Sequence, residues 1–372
     1  MEYVQERITT LHDLREPTPE APTDRAAVVV PMTEREYAGL AAEGVLSALE
    51  SVAPKRVVVP LRAPAEKVGP FRDWLAGFDL PLEVLWCNGP EVAELLADNG
   101  LNGSAGKGRD VWLAVGQVLD ADYIVCHDAD TKTYDPSYVP RLLFPLEHGH
   151  EFTKGYYARV ENGQLYGRLF RLFYAPLVRA LADEAPDAKI LQYLAAFRYA
   201  LAGEFAATGD LLADMRFQRS WGLEVGTLGE AFAVAGFDGS AQVDLGAYEH
   251  DHRAVGGPTG LSEMSAAVGD ALFRVVSEHG VDIDYATLPD RYREAAESLR
   301  RQYAVDAAYN DLAYDRDDER TQIDTYAGAL REPGTDNRLP AWNNAPISPD
   351  AVAAAAAADL RTATDETGMS NE

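Results

Sequence analysis

Asp122-Tyr123-Ile124-Val125-Cys126-His127-Asp128-Ala129-Asp130 is an apolar, β-branched run that ends at once in two carboxylates one residue apart. Consecutive rather than alternate apolar residues suit a strand buried on both faces, the kind found inside parallel sheets. Ligands of such sheets bind beyond the carboxyl ends of the strands. An Asp-x-Asp delivered to that edge can hold one hard divalent cation against a diphosphate, which is the chemistry of transfer from a nucleotide-activated donor. The same pair could also be a strand-capping turn, so the reading depends on what else the chain sends to that edge.

Outward from this stretch, strand and helix signals alternate. Ala26–Val30, Arg56–Val59, Leu82–Trp86 and Tyr123–His127 read as strands, and Thr33–Val52, Pro64–Gly77 and Lys107–Leu119 carry helical apolar spacing. This order predicts an α/β fold with a Rossmann-like, mostly parallel sheet covered on both faces. Later segments are less regular: a strand over Glu151–Val160, a helix over Leu165–Ala182, a mixed segment to Ala213, a helix after Glu224, a strand over Gln242–Leu245 and a long helix from Leu261. An acidic turn cluster at Asp315–Arg320, a Pro/Asn-rich stretch at Arg338–Pro349 and an Ala-rich helix over Pro349–Leu360 precede a polar tail expected to be disordered.

Thirty-three Lys and Arg against 60 Asp and Glu leave a formal charge of −27, and only six of the cations are lysine. A surface so acidic repels itself in dilute buffer and is tolerated where concentrated salt screens it, so a halophilic setting is expected. It also argues against nucleic-acid binding, which needs a basic surface. No apolar run approaches the roughly 20 residues of a membrane span, and the charged start has no secretory pattern, so a cytoplasmic protein without a membrane partner is expected. Cys87 and Cys126 each end an apolar strand-like segment and read as buried thiols in a reducing compartment.

Other residues could converge on Asp128 and Asp130. Gly106-Lys107-Gly108 precedes a helix, where backbone N–H groups and the lysine favour anions, although the tripeptide lacks P-loop spacing and could be an ordinary loop. His250-Asp251-His252 follows a late strand; an imidazole there could complete a metal shell, or the pair could be exposed turn histidines. In Trp221-Gly222-Leu223-Glu224-Val225-Gly226 a carboxylate lies between glycines, placed either as a catalytic or hydroxyl-binding group or as a helix-start glutamate.

Taken in order, these segments resemble the retaining GT-A glycosyltransferases that make glucosyl-3-phosphoglycerate. The resemblance runs from about Val28 to Val275. It is carried by Gly106-Lys107-Gly108, His127-Asp128-Ala129-Asp130, Lys154-Gly155-Tyr156-Tyr157-Ala158-Arg159, Gly167-Arg168 with Ala175-Pro176-Leu177, Gly203-Glu204-Phe205-Ala206-Ala207-Thr208, Trp221 to Gly226, and Asp244-Leu245-Gly246 leading to His250. It implies an enzyme that moves a hexose, expected to be glucose, from a nucleoside-diphosphate sugar to 3-phosphoglycerate or a related small acidic acceptor, with Mg²⁺ or Mn²⁺ as cofactor and a homodimeric state. The product would be a compatible solute. Pro31 would lie beside the nucleoside, Lys107 near the diphosphate and Asp128 at the donor ribose or sugar. Asp130 and His250 would ligate the metal, Gly167, Arg168 and His252 would meet the acceptor, and Glu224 would act at the reacting centre with Lys107. The implied organisation is a lead-in with at most one short element over 1–25, a nucleotide-sugar half over 26–150, an acceptor half over 151–303, and a helical C-terminal extension over 304–372.

The departures fall at both ends of the site. Pro31-Met32-Thr33-Glu34-Arg35-Glu36 and Pro60-Leu61-Arg62-Ala63-Pro64 differ from the family's nucleoside loops, leaving uridine or guanosine open. Phe170 replaces a small hydroxyl residue, Tyr248 an arginine and His252 an asparagine, so Arg253 or Arg159 would have to supply the lost charge. Two other classes compete. A sugar-nucleotide pyrophosphorylase or nucleotidyltransferase normally begins with a Gly-rich loop, which Val30-Pro31-Met32-Thr33 lacks. A non-catalytic sugar-nucleotide-binding relative would be expected to lose Asp130 or His250.

Overall fold

Eleven strands form where β-branched and apolar residues run together: β1 (Thr9–Leu11), β2 (Ala26–Val29), β3 (Met32–Thr33), β4 (Arg56–Arg62), β5 (Leu82–Trp86), β6 (Tyr123–Cys126), β7 (Phe152–Ala158), β8 (Val160–Glu161), β9 (Gln164–Leu165), β10 (Phe205–Thr208) and β11 (Ser240–Ala247). The structure, a computed structural model, describes residues 5–251 and 258–369. Nine strands share one sheet in the order β1-β11-β7-β10-β6-β2-β4-β3, with β5 also on β4. Every pairing in it is parallel except those of β10, which runs antiparallel to both β6 and β7. β8 and β9 make a separate antiparallel hairpin.

Every residue of β2 and of β6 is buried. Their side chains alternate between two cores, Ala27, Val29, Ile124 and Cys126 on one face and Val28, Tyr123 and Val125 on the other. That is why these strands read as continuous apolar runs. Helices Leu40–Val52 and Tyr138–Glu147 pack one face; Lys107–Gly116, Leu223–Val234 and Leu288–Tyr309 pack the other. Among the described residues no helix is long and apolar enough to cross a membrane.

Several expected elements change shape. The helix expected from Thr33 begins at Leu40, because Thr33 and Glu36 form a capping box around a 3-10 turn and Ala38 then takes a φ of 48°. The helix expected over Leu165–Ala182 is divided: Leu165 ends β9, Leu169–Tyr174 winds as a π-helix, and the α-helix runs Ala175–Glu184. Apolar spacing alone does not distinguish these windings. Asp315–Arg320 is not a turn but a helix start, with the Asp315 side chain accepting from the N–H groups of Asp317 and Asp318 and further acids in the first turn. The Ala-rich helix passes Leu360 and ends at Met369.

The C-terminal extension braces the sheet. Asp359, 2% exposed, accepts from the N–H groups of Glu91 and Val92 at 2.9 and 3.1 Å, capping helix Pro90–Asp98 from 268 residues away. Trp342 stacks on Trp112 with ring centroids 4.2 Å apart, and its indole N–H donates to the Trp112 carbonyl. The extension thus grips the helix that begins with Lys107.

Candidate active site

The chain folds so that the carboxyl ends of β2, β6 and β11 lie along one edge, with antiparallel β10 between β6 and β7. The segments beyond β6 and β11 are then joined by backbone bonds. Asp251 N–H donates to the Asp130 carbonyl, Lys132 N–H to the Glu249 carbonyl, and Thr131 bridges His250 in antiparallel register. Side-chain bonds reinforce the join, with Glu249 N–H donating to Thr133 Oγ1 and Thr131 Oγ1 donating to the Tyr248 hydroxyl. As a result Asp130 Oδ2 lies 2.9 Å from His250 Nε2. Burial works against a charged His250, but the Asp130 hydrogen bond together with the negative charges of Asp130 and Asp128 overcomes it and raises the imidazole pKa.

Asp130 Oδ1 is buried and, among the described residues, has no hydrogen-bond partner. A carboxylate with one unfilled oxygen, touching an imidazole, fits two of the positions around a hard divalent cation, the remainder being left to phosphate oxygens and water. Among the described residues no cluster of three or more His, Cys, Asp or Glu side chains could hold a metal ion.

Asp128 has a different partner. Lys107 Nζ is 2.5 Å from Asp128 Oδ1 and 3.3 Å from Glu224 Oε1. Burial would lower the Lys107 pKa, but Asp128 and then Glu224 overcome it and hold the ammonium well above its ordinary range. Burial likewise opposes ionised Asp128, and Lys107 reverses it. The glycines beside Lys107 have a packing reason: a Cβ on Gly108 would meet the Gln218 carbonyl oxygen at 1.8 Å. With Arg109 N–H donating to the Arg219 carbonyl, this close approach brings the Lys107 turn against the segment leading to Glu224. Gly203 is similar, its Cα side filled by the Asp128 carboxylate. Pro31 follows β2, the strand beside β6, at the same edge.

Three buried titratable groups beneath these residues were quoted in the sequence without a role. Lys154 is 1% exposed with no hydrogen-bond partner for Nζ, and burial pulls its pKa down to about 8 against the attraction of Glu224. Glu204 accepts from the Tyr157 hydroxyl at 2.9 Å, and burial, with Asp128 adding to it, pushes its carboxyl up to about 7. His127 contacts the Tyr134 hydroxyl at 2.9 Å, and burial holds it neutral at about 4. Lys154, a charged residue within apolar strand β7, carries a sequence signal, whereas the burial of Glu204 before β10 and of His127 after β6 is a tertiary property.

The acceptor candidates are more dispersed. Gly167 lies against the Tyr199 ring. Arg168, on the rim, pairs with Asp318 of the C-terminal extension at 2.5 Å, while the next basic residue, Arg171, makes a buried pair with Glu319 at 2.8 Å. Phe170 packs between Tyr174 and Tyr199, and Tyr248 stacks on Tyr157 at 3.9 Å. His252 and Arg253 lie outside the described residues.

No protein-family model matches the chain. The glucosyl-3-phosphoglycerate synthase of Methanococcoides burtonii is 34% identical over 93% of this chain and 94% of its own length, and that of Persephonella marina 34% identical over 82% and 80%. Among solved structures, glucosyl-3-phosphoglycerate synthase from Mycobacterium tuberculosis with phosphoglyceric acid superposes with a TM-score of 0.55 at 22% identity, covering 75% of this chain and 90% of that one. Another structure of that enzyme holds Mn²⁺, UDP and phosphoglyceric acid. Mannosyl-3-phosphoglycerate synthase from Rubrobacter xylanophilus has a TM-score of 0.53 at 25% identity over 70% of this chain and 76% of that one. The sheet is therefore a GT-A sheet, and the chain, a glycosyltransferase, belongs to the glucosyl-3-phosphoglycerate synthase family.

Proposed function

We propose that this protein transfers glucose, with retention of anomeric configuration, from a nucleoside-diphosphate glucose to 3-phosphoglycerate in a reaction dependent on Mg²⁺ or Mn²⁺. The observation that carries the reading is the meeting of Asp130 with His250 at 2.9 Å, beside Lys107 held between Asp128 and Glu224. The names of the 34%-identical relatives support glucose and 3-phosphoglycerate as the substrates. In this reading residues 26–150 supply the donor side with Pro31, Lys107, Asp128 and Asp130. Residues 151–303 supply His250, Glu224, Gly167, Arg168 and His252.

Asp130 and His250 would hold the cation, which when bound supplies positive charge against the diphosphate. The chain's own residues do the rest. Lys107, already charged and half-buried, exchanges a carboxylate contact for a diphosphate oxygen and offsets the negative charge that grows as the anomeric C–O bond breaks. Asp128, released from Lys107, accepts from a donor hydroxyl. Glu224 accepts from a hydroxyl at the reacting centre, where the acceptor oxygen forms the new bond to the anomeric carbon as the diphosphate leaves with the electron pair and takes up the acceptor hydroxyl's proton. The 3.3 Å approach of Glu224 Oε1 to Lys107 Nζ supports this role, and no covalent sugar intermediate on Glu224 is required.

The charge of −27 suits a cytoplasm rich in salt, where a glucosylated anion would serve as a solute. Incubation with UDP- or GDP-glucose, Mn²⁺ and 3-phosphoglycerate in concentrated salt tests the reading. Nucleoside diphosphate release that requires both the metal and 3-phosphoglycerate, with an α-linked product by NMR, is expected. Formation of a sugar nucleotide from a sugar phosphate and nucleoside triphosphate would instead establish a nucleotidyltransferase.

A further inference from the structure

Arg159 stands immediately past β7, level with Tyr248 because Ala158 pairs with Ala247 in β11. Its guanidinium lies over the Tyr248 ring, 5.7 Å from the centroid, and Tyr248 is itself fixed by face-to-face stacking on Tyr157. A second contact is a hydrogen bond with Tyr199, the ring that packs on Gly167. A third is the Arg159 Nη2 to Glu161 Oε1 approach at 3.6 Å, and the same Glu161 oxygen accepts from His250 N–H at 3.2 Å. Arg159 is thus tied to the loop of Gly167 on one side and to the loop of His250 on the other.

Its Nε–H is buried and, among the described residues, has no hydrogen-bond partner. A buried donor left unfilled is costly, and a ligand that fills it recovers the loss. A planar guanidinium already stacked on an aromatic face, with an open donor, is prepared for two-point contact with an oxyanion. Arg168 is the poorer candidate for that task, since it sits at the rim and is already paired with Asp318.

We infer that Arg159 binds an oxyanion of the acceptor and sets the enzyme's demand for an acidic one. This rests on the proposed acceptor reading, and the test separates the two. Arg159→Lys and Arg159→Gln are compared with the parent at saturating donor and Mn²⁺. The KM for 3-phosphoglycerate should rise about 30-fold or more, with kcat within about threefold, and lysine should rescue only part because it lacks the fork. Acceptor-independent hydrolysis of the sugar nucleotide should be unchanged, showing that the donor side is intact.

Inhibition by D-glycerate and by glycerol 3-phosphate identifies which oxyanion is held. Weakening confined to glycerol 3-phosphate assigns the phosphate, and weakening confined to D-glycerate assigns the carboxylate. An unchanged KM, or a loss shared equally by donor hydrolysis, overturns the inference and leaves Arg159 a structural residue. A parent enzyme that ignores 3-phosphoglycerate but uses another acid would sink the proposed acceptor instead, and the Arg159 claim would then stand or fall on that acid's KM.

Discussion

The proposed donor and acceptor sides of the site are built differently. On the donor side each charged group has a short partner fixed by the sheet edge, Asp130 with His250 and Asp128 with Lys107, and backbone bonds between residues 130–132 and 249–251 hold the geometry. On the acceptor side the contacts are aromatic, and Arg168 depends on Asp318, far along the chain in the extension. In the proposed reading, one sheet supplies a rigid diphosphate site and leaves acceptor recognition to elements added around it.

The largest expected effect falls on the donor side. Asp130→Asn replaces a carboxylate by an amide that binds a hard cation weakly, and kcat/KM should drop by about 10³-fold or more. Steady-state kinetics across Mn²⁺ concentrations would check this, and full activity at any of them would mean that the metal sits elsewhere. Glu224→Gln should lower kcat by about 10- to 100-fold, the worth of one hydrogen bond to a charged group, with UDP affinity within about threefold. A variant that loses UDP binding instead would put Glu224 on the nucleotide.

Effects on the acceptor side should be smaller and appear in KM. Arg168→Lys should raise the KM for 3-phosphoglycerate about tenfold through loss of the planar fork. Asp318→Asn, which frees Arg168, should lower it; parallel changes in the two variants would show that the pair is only structural.

The smallest effect is on stability and depends on pH. The Glu204 carboxyl titrates near 4.5 in an unfolded chain and near 7 in the folded protein. Between these values the folded state binds the extra proton, so this site's contribution falls as pH rises through the window, and the penalty is complete above about 7. Glu204→Gln removes that slope. Chemical unfolding should find the variant gaining on the parent by about 1–3 kcal/mol from pH 4.5 to 7.5, and a pH-independent difference would refute the assignment.

What could be read from the sequence follows the same division. β2, β4 and β6 are legible because burial on both faces leaves apolar runs, β5 because Val84, Leu85 and Trp86 run together after an exposed Glu83, and Asp128 and Asp130 because they follow β6 directly. Helices Pro90–Asp98 and Tyr138–Glu147 were not, being about three turns or less and interrupted or opened by proline, so periodicity had little length in which to show. The antiparallel β10 was hidden because an apolar segment carries no sign of its direction. The Arg168 to Asp318 pair and the Asp359 cap join residues 150 and 268 apart, and spacing does not encode such contacts. The glycines of Gly106-Lys107-Gly108 were noticed as a possible anion loop, whereas the structure gives Gly108 a packing role against Gln218.

The central claim is that Asp130 and His250 form one metal-diphosphate site. Calorimetric titration of UDP into the protein with and without Mn²⁺, repeated for Asp130→Asn and His250→Ala, tests it most directly. Mn²⁺ should strengthen UDP binding at least tenfold in the parent, and each variant should abolish this metal dependence while keeping the weak metal-free binding. Mn²⁺ enhancement of UDP binding that survives unchanged in both variants would contradict it.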